Sequence, residues 1–411
     1  MIEATSGVEN GGTRRGWLAV VVVGLGTFTL VTNEFLPVGL LSAIRADLRV
    51  SEGTAGTMMT MPGAVAAVSA PLLTVAAGRL DRRIVMLVMA ALFTASDALG
   101  ALAPNFGTML AARFLLGLGI GGFWAIGASI GNRLVAPGSA GRATAVIFSG
   151  VSIAAVLGVP AGALVGGLFG WRVAFAVTAL LGFVTLAALT VLLPALPVEE
   201  PVTLRQLSSV LRGRNGRTGL ITTLGLVVGH FVAYTFISPF LEQQAGLGSR
   251  AISVLLLVFG GAGIIGNFAI GAALRARLRT AIVAVIVVLG ACAALMPMVG
   301  MWGWAAAAVL AVWGLAYGAV PIALQTWVFT ADDARPEGGS ALYISTFQIS
   351  IALGALLGGR IVDAAGIPNA MVTGAGLALL ALIVFVVFTT KTATARAAAE
   401  TLDTHVAAVA P

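Results

Sequence analysis

The sequence predicts an all-α integral membrane protein with twelve transmembrane helices in two pseudo-symmetric six-helix bundles. Of its 411 residues, 59% are hydrophobic and 9% charged, and the mean hydropathy is +1.04, which excludes a soluble enzyme. The apolar residues fall into runs of about 20, the length at which a helix crosses a hydrocarbon core of roughly 30 Å. These runs stay apolar instead of alternating, which excludes a membrane barrel. The longest polar stretch after the N-terminus, residues 194–218, parts them six and six.

Taken in order, a polar tail over 1–16 contains acidic residues with Arg14 and Arg15 and no short apolar region with a cleavage site, so no cleaved signal peptide is expected. Spans at 17–41, 54–77, 84–103, 107–134, 143–168 and 173–193 form an N-terminal bundle over 17–193. The linker 194–218 carries Leu204, Leu207, Val210 and Leu211 at helical spacing beside Arg205 and Arg212. It is either a short helix on the membrane face or a solvated connector. Spans at 219–241, 250–273, 280–299, 303–329, 339–362 and 369–390 form a C-terminal bundle over 219–390, followed by a tail over 391–411.

The net charge of +7 comes without a basic run interleaved with aromatics, so no nucleic-acid partner is expected. With the N-terminus inside, seventeen of the 23 basic residues fall in inner segments, five in outer ones and Arg113 within a span. That asymmetry places both termini and the linker in the cytoplasm, with the protein in the plasma (inner) membrane. The single cysteine, Cys292, lies in an apolar run, so no internal disulfide or Cys-based metal site is expected.

A weak internal repeat relates the halves. Ala161–Gly167 in span 5 matches Leu353–Gly359 in span 11 at an offset of 192, and Gly78 before Arg79, Arg82 and Arg83 matches Gly271 before Arg275, Arg277 and Arg279 at an offset of 193. Paired bundles of this kind are the plan of transporters that rock one half against the other around a midplane site.

Two acidic residues, Glu34 and Asp97, lie within spans. A carboxylate in hydrocarbon costs about 2.5–3.5 kcal/mol or more, so each needs a partner, a cavity or a proton. Desolvation suits Glu34, which follows Asn33 and precedes Pro37, to a proton-carrier role; a structural carboxylate bonded to a neighbouring helix is the alternative. Asp97 and Arg113 lie eight residues either side of Asn105, the predicted tip of the span 3–4 hairpin, and so share a depth about 12 Å below it. Arg113 either trades partners between Asp97 and Glu34 or forms a static pair with Asp97, or Asp97 snorkels outward instead.

Candidate ligand contacts are Asn33, Trp124, Phe148, His230, Tyr234, Trp313, Tyr317 and Gln325, where aromatic faces offer stacking and polar groups reach ring edges or hydroxyls. Helix packing is the competing account of the aromatic stripes, and a bond to a backbone carbonyl that of His230. Gly158, Pro160 and Gly162, with Gly150, Gly166, Gly167 and Gly170, make a smooth, bendable face in span 5. No Walker, HExxH or GxSxG motif occurs in a plausible context, so no catalytic residue, metal or cofactor is expected.

These strings resemble the major facilitator superfamily over nearly the whole membrane portion. Gly78-Arg79-Leu80-Asp81-Arg82-Arg83 is similar, in shortened form, to the loop 2–3 signature, which implies gating roles for Gly78, Asp81 and Arg82. Arg113–Gly119 is similar to the span 4 signature associated with proton transfer. Leu157–Gly162 with Gly166 and Gly167 resembles the span 5 antiporter signature, with Val159 inserted between Gly158 and Pro160. Within the superfamily, Thr32–Leu41, Met61–Ala67 and Gly121–Ile126 look like the drug:proton antiporter 12-spanner family, in its purine ribonucleoside and sugar exporter branch. The resemblance implies a monomer that exports a small planar molecule by exchange with protons, the gradient being its energy source. A purine nucleoside is the first choice of substrate, with an aromatic antibiotic or a sugar as alternatives. A facilitator and a non-transporting sensor are the other function classes.

Overall fold

The structure, a computed structural model, describes residues 6–76, 80–136, 139–197, 213–300, 302–329 and 336–409. It contains helices α1 (Ser6–Leu48), α2 (Glu52–Ala76), α3 (Arg82–Ala101), α4 (Phe106–Leu134), α5 (Ala140–Ile153), α6 (Val159–Phe169), α7 (Trp171–Leu192), α8 (Arg214–Tyr234), α9 (Ile237–Ala245), α10 (Ser249–Val299), α11 (Gly303–Phe329), α12 (Pro336–Ala365) and α13 (Ile367–Val409). Among the described residues eleven segments are long and apolar enough to cross a membrane. The twelfth crossing, α2, is enriched in Thr and Ser, but its 25 residues reach about 37 Å.

Four predicted spans differ in their backbone from plain, separate helices. Span 5 is α5 and α6 joined by a π-helical turn at Ala154–Gly158. Pro160 has no N–H for the carbonyl four residues back, and the widened turn accommodates it. Span 7 breaks at Thr235 and Phe236 into α8 and α9, and Pro239 four residues after Thr235 accounts for the break in the same way. Spans 8 and 9 form one hydrogen-bonded run, α10, that turns back at Arg277 (φ −151, ψ 57). Helical backbone also extends into both predicted tails. Most of the predicted linker, including Leu204, Arg205, Leu207, Val210, Leu211 and Arg212, lies outside the described residues.

In the N-terminal half, α4 packs between α2 and α3, α3 lies against α7, and α1 against α5, α6 and α7. In the C-terminal half, α10 packs on α11 and α13, and α8 on α12 and α13. Two helix pairs make up most of the seam between halves, α2 along α12 and α6 with the π-turn along α10, and α1 also touches α9. Exposed apolar side chains such as Leu180, Phe183, Phe268 and Leu379 are placed for lipid contact.

The apolar core shows where the halves meet. One cluster runs from the C-terminal half across the seam into Leu36–Ile44 of α1, Met58 and Met59 of α2, and Phe175 of α7. A second, with Met86, Leu134, Leu189 and Leu193, belongs to the N-terminal half toward Arg82. The halves are therefore joined at the end that contains the Asn105 turn. Polar contacts cross the same end: the Asp363 carboxylate of α12 accepts from Ser51 Oγ (2.6 Å) and from the Gly53 amide (2.9 Å) at the start of α2. Glu52 pairs with Arg45 at 3.1 Å and accepts from Gln243 of α9.

Candidate functional site

Pro37 lies inside α1 and has no N–H to offer the Asn33 carbonyl one turn back. That carbonyl accepts instead from Arg113 Nη1 at 3.0 Å. Arg113 is fully buried, its Nη2 lies 3.5 Å from Asp97 Oδ1, and its guanidinium sits over the Phe175 ring at 5.0 Å. One cation thus ties α4 to α1, α3 and α7. Asn105 caps α4 through its Oδ1, which accepts from the Thr108 amide at 2.9 Å, so the predicted hairpin tip and the equal depth of Asp97 and Arg113 are both present.

Glu34 is 4% exposed, and its carboxylate accepts from Gln348 Nε2 of α12 at 3.1 Å. Among the described residues no ion pair joins it to Arg113, so the exchange of partners expected for Arg113 is not seen in this conformation. Gln348 was missed by the sequence reading. An uncharged amide in span 11 is visible in the chain, but nothing in the sequence registers that span against span 1.

Beside Glu34, Phe35 of α1 stacks on Phe231 of α8 (centroids 5.9 Å, 16°), a second cross-seam contact. Phe231 opens onto an aromatic cluster that gathers four predicted residues. His230 lies parallel to Tyr317 (3.7 Å, 7°) and to Tyr234 (5.0 Å, 20°), and Trp313 Nε1 donates to His230 Nδ1 at 3.1 Å. Phe259 stacks on Tyr234 at 4.6 Å and completes the cluster. The Trp313 bond requires Nδ1 to be unprotonated, so neutral His230 carries its proton on Nε2. Nε2 is buried without a hydrogen-bond partner among the described residues. The backbone-carbonyl bond weighed for His230 is replaced by this indole bond.

The remaining predicted residues separate. Trp124 and Phe148 form their own pair in the N-terminal half (5.6 Å, 35°). Asn33 is fully buried and donates to the Phe93 carbonyl at 3.2 Å, which makes it a clamp between α1 and α3. Gln325 is half-buried on α11, on the helix that carries Trp313 and Tyr317.

Of the gating candidates, Gly78 lies outside the described residues. Asp81 caps α3, accepting from the amides of Arg83 and Leu196, both at 2.8 Å, and the Arg82 amide donates to the Leu196 carbonyl at 3.0 Å. Both ties join the start of α3 to Leu196, at the start of the predicted linker just after α7, and neither reaches the C-terminal half. Gly158, with Gly150, Gly162 and Gly166, packs span 5 against α1: an added Cβ would strike Thr32 at Gly158 and Leu36 at Gly162. Pro160 sits in the first turn of α6. A groove of about 860 Å³ between α6 and α10, lined by Leu168, Gly167 and Arg250, contains none of the predicted ligand contacts.

The family model described as Major Facilitator Superfamily matches residues 23–340. The purine ribonucleoside efflux pump NepI of Salmonella paratyphi A is 33% identical over 91% of this chain and 94% of its own, and that of Escherichia coli 33% over 90% and 94%. The transcription regulatory protein OpdE of Pseudomonas aeruginosa is 32% identical over 91% and 94%. Among solved structures, a bacterial homolog to the human lysosomal transporter Spinster, inward-facing and unoccupied, aligns with a TM-score of 0.73 at 16% identity, covering 92% of this chain and 97% of that one. A POT family transporter in complex with 5-aminolevulinic acid aligns at 0.73 and 12%, covering 92% and 96%. These last two share the fold.

Proposed function

Because the chain belongs to the Major Facilitator Superfamily and is a multi-pass membrane transporter, we propose that it exports purine nucleosides or their analogues across the plasma membrane in exchange for protons. The observation that carries this reading is the meeting of a buried carboxyl and an aromatic cluster at one place on the seam. Glu34 bonds across it to Gln348, and its neighbour Phe35 stacks across it on Phe231. A site that rearranges with the seam feels both the proton and the ligand.

The cluster suits a flat, neutral ligand. Its rings stack on one another, so a flat ligand would enter by parting them, and among the described residues His230 Nε2 is a donor without a hydrogen-bond partner. Among the described residues no fixed cation stands among its rings, so none of them selects a strongly anionic ligand. The names of the relatives favour a purine nucleoside over an aromatic drug or a sugar. The count of basic residues supports cytoplasmic termini, which turns the Asn105 end outward. With the halves joined there, that orientation supports reading this conformation as a carrier open toward the cytoplasm. The protein's energy source is then the proton gradient, with no cofactor required.

The test is transport in proteoliposomes with an imposed pH gradient and inosine as probe. Inosine should move uphill with counterflow of protons, and Glu34→Gln should bind inosine yet lose gradient-driven movement. Undiminished uphill transport by Glu34→Gln removes Glu34 as the obligatory carrier. Export of an amphipathic drug that inosine does not inhibit establishes the multidrug alternative, and binding without flux establishes a sensor.

A further inference from the structure

Resting on the proton-coupled exchange proposed above, we infer that Gln348 is a positioning residue that staples the empty, ionised carrier closed at its outer end, so that only a protonated or substrate-loaded protein changes state.

An exchanger must forbid one crossing. If the carrier reoriented with neither proton nor substrate, protons would run through it without moving anything in return. The hold on that form must depend on the charge of the coupling carboxyl and must act on the opposite half. Glu34 meets that requirement through one side-chain bond among the described residues, from Gln348 Nε2 at 3.1 Å, with the two side chains 4% and 5% exposed. With Glu34 ionised the bond is charge-assisted in a low dielectric, roughly twice as strong as the neutral bond left after protonation. Among the described residues the other charged and titratable groups around Glu34 are Arg113 of α4, with its partner Asp97 of α3, and Tyr317 of α11. Arg113 and Asp97 move with the same half as Glu34. Gln348 is thus the group through which α12 senses the carboxyl's state.

The helix that carries Gln348 also closes the outer end. Along the α2–α12 contact, Gly63 lies on the Gln348 carbonyl and Ala352, Gly56 beside the Ala355 carbonyl, and Gly53 on Gly359 and Asp363. Gln348 and Asp363 stand about 22 Å apart on one helix at about 1.5 Å per residue. Asp363 accepts from Ser51 and Gly53 at the far end. Beside the shared apolar core, polar side chains of α12 therefore hold the seam at two points of one rigid element, and of these two only the inner point depends on Glu34. A proton on Glu34 weakens that point. A ligand polar group that takes the place of Gln348 on Glu34 releases it, and the aromatic cluster lies next to Glu34 through Phe35 and Phe231.

The test uses the full chain in sealed vesicles with an entrapped pH dye. Gln348→Met keeps the length of the side chain and removes the donor. It should bind inosine and leak protons without substrate about tenfold faster than wild type, the factor expected for one lost bond to a charged group. Gln348→Lys restores a donor and should suppress the leak while slowing exchange. Spin labels at Leu102→Cys and Gly248→Cys, both exposed, in a Cys292→Ala background should separate further in substrate-free Gln348→Met than in wild type at alkaline pH. If wild type exchanges inosine for protons and Gln348→Met is equally tight with unchanged label distances, the inference is overturned and the exchange stands. If wild type moves no protons with inosine and Glu34→Gln changes nothing, the exchange fails and the inference falls with it.

Discussion

Arg113 shows how one residue fixes several elements. A buried guanidinium needs compensation, and here Asn33 O, Asp97 and Phe175 supply one acceptor, a counter-charge and an aromatic face, while Nε and Nη2 have no hydrogen bond among the described residues. Arg113→Ala leaves Asp97 buried and uncompensated. It should cost about 3–5 kcal/mol, read as a loss of thermal stability in detergent, and Arg113→Ala with Asp97→Ala should recover part of that loss. A double variant no more stable than the single one would show that the 3.5 Å pair contributes nothing. The pair was legible in the sequence because a hairpin with a readable tip converts residue number into depth on both sides of Asn105. Gln348 was not, since Glu34 and Gln348 belong to spans joined by no short turn, and neither depth nor facing follows from spacing. The acceptor role of Asn33 was half legible: Pro37 announces a free carbonyl four residues earlier but not who takes it.

At the scale of elements, the glycines of span 5 were readable as a smooth face, and the structure gives that face an owner in α1. Thr32, Leu36 and Leu40 of α1 sit where Cβ atoms at Gly158, Gly162 and Gly166 would be. Gly158 also ends the π-turn, so its neighbours on both sides are constrained. Gly158→Val should therefore force α1 and span 5 apart and cost about 1–3 kcal/mol in a melting experiment. Gly261→Val, where an added Cβ meets nothing, serves as the control and should melt close to wild type. The helix breaks were encoded as prolines four residues downstream, Pro160 and Pro239. An apolar run hides them, because hydropathy is indifferent to which backbone carbonyls lack a donor. The turn at Arg277, by contrast, falls in the break predicted between spans 8 and 9, which the sequence marks by charge.

For the whole molecule, the twelve crossings and the division into halves were legible because lipid demands long apolar helices and leaves few alternatives. The conformation was not, since the same sequence must fit at least two arrangements of the halves. Orientation is tested by single cysteines in a Cys292→Ala background: those near Asn105 and Glu242 should label from outside, and those near Arg82 and Arg277 should not. The state of the seam is tested at Asp363. Its two bonds, to Ser51 at 2.6 Å and the Gly53 amide at 2.9 Å, exist only while the halves are joined at the Asn105 end. Both gain from the carboxylate charge, and the Gly53 amide adds the favourable field of a helix N-terminus. Asp363→Asn keeps the size and removes the charge. Because Asp363 is exposed, solvent screening holds the loss to about 1 kcal/mol, or roughly a fivefold shift toward the form open at that end. Inosine binding should survive, because Asp363 lies far along α12 from Glu34, while the distance between labels at Leu102→Cys and Gly248→Cys should gain a longer component. An unchanged distribution would mean that the apolar core shared by α1, α2 and the C-terminal half closes this end without help from the carboxylate.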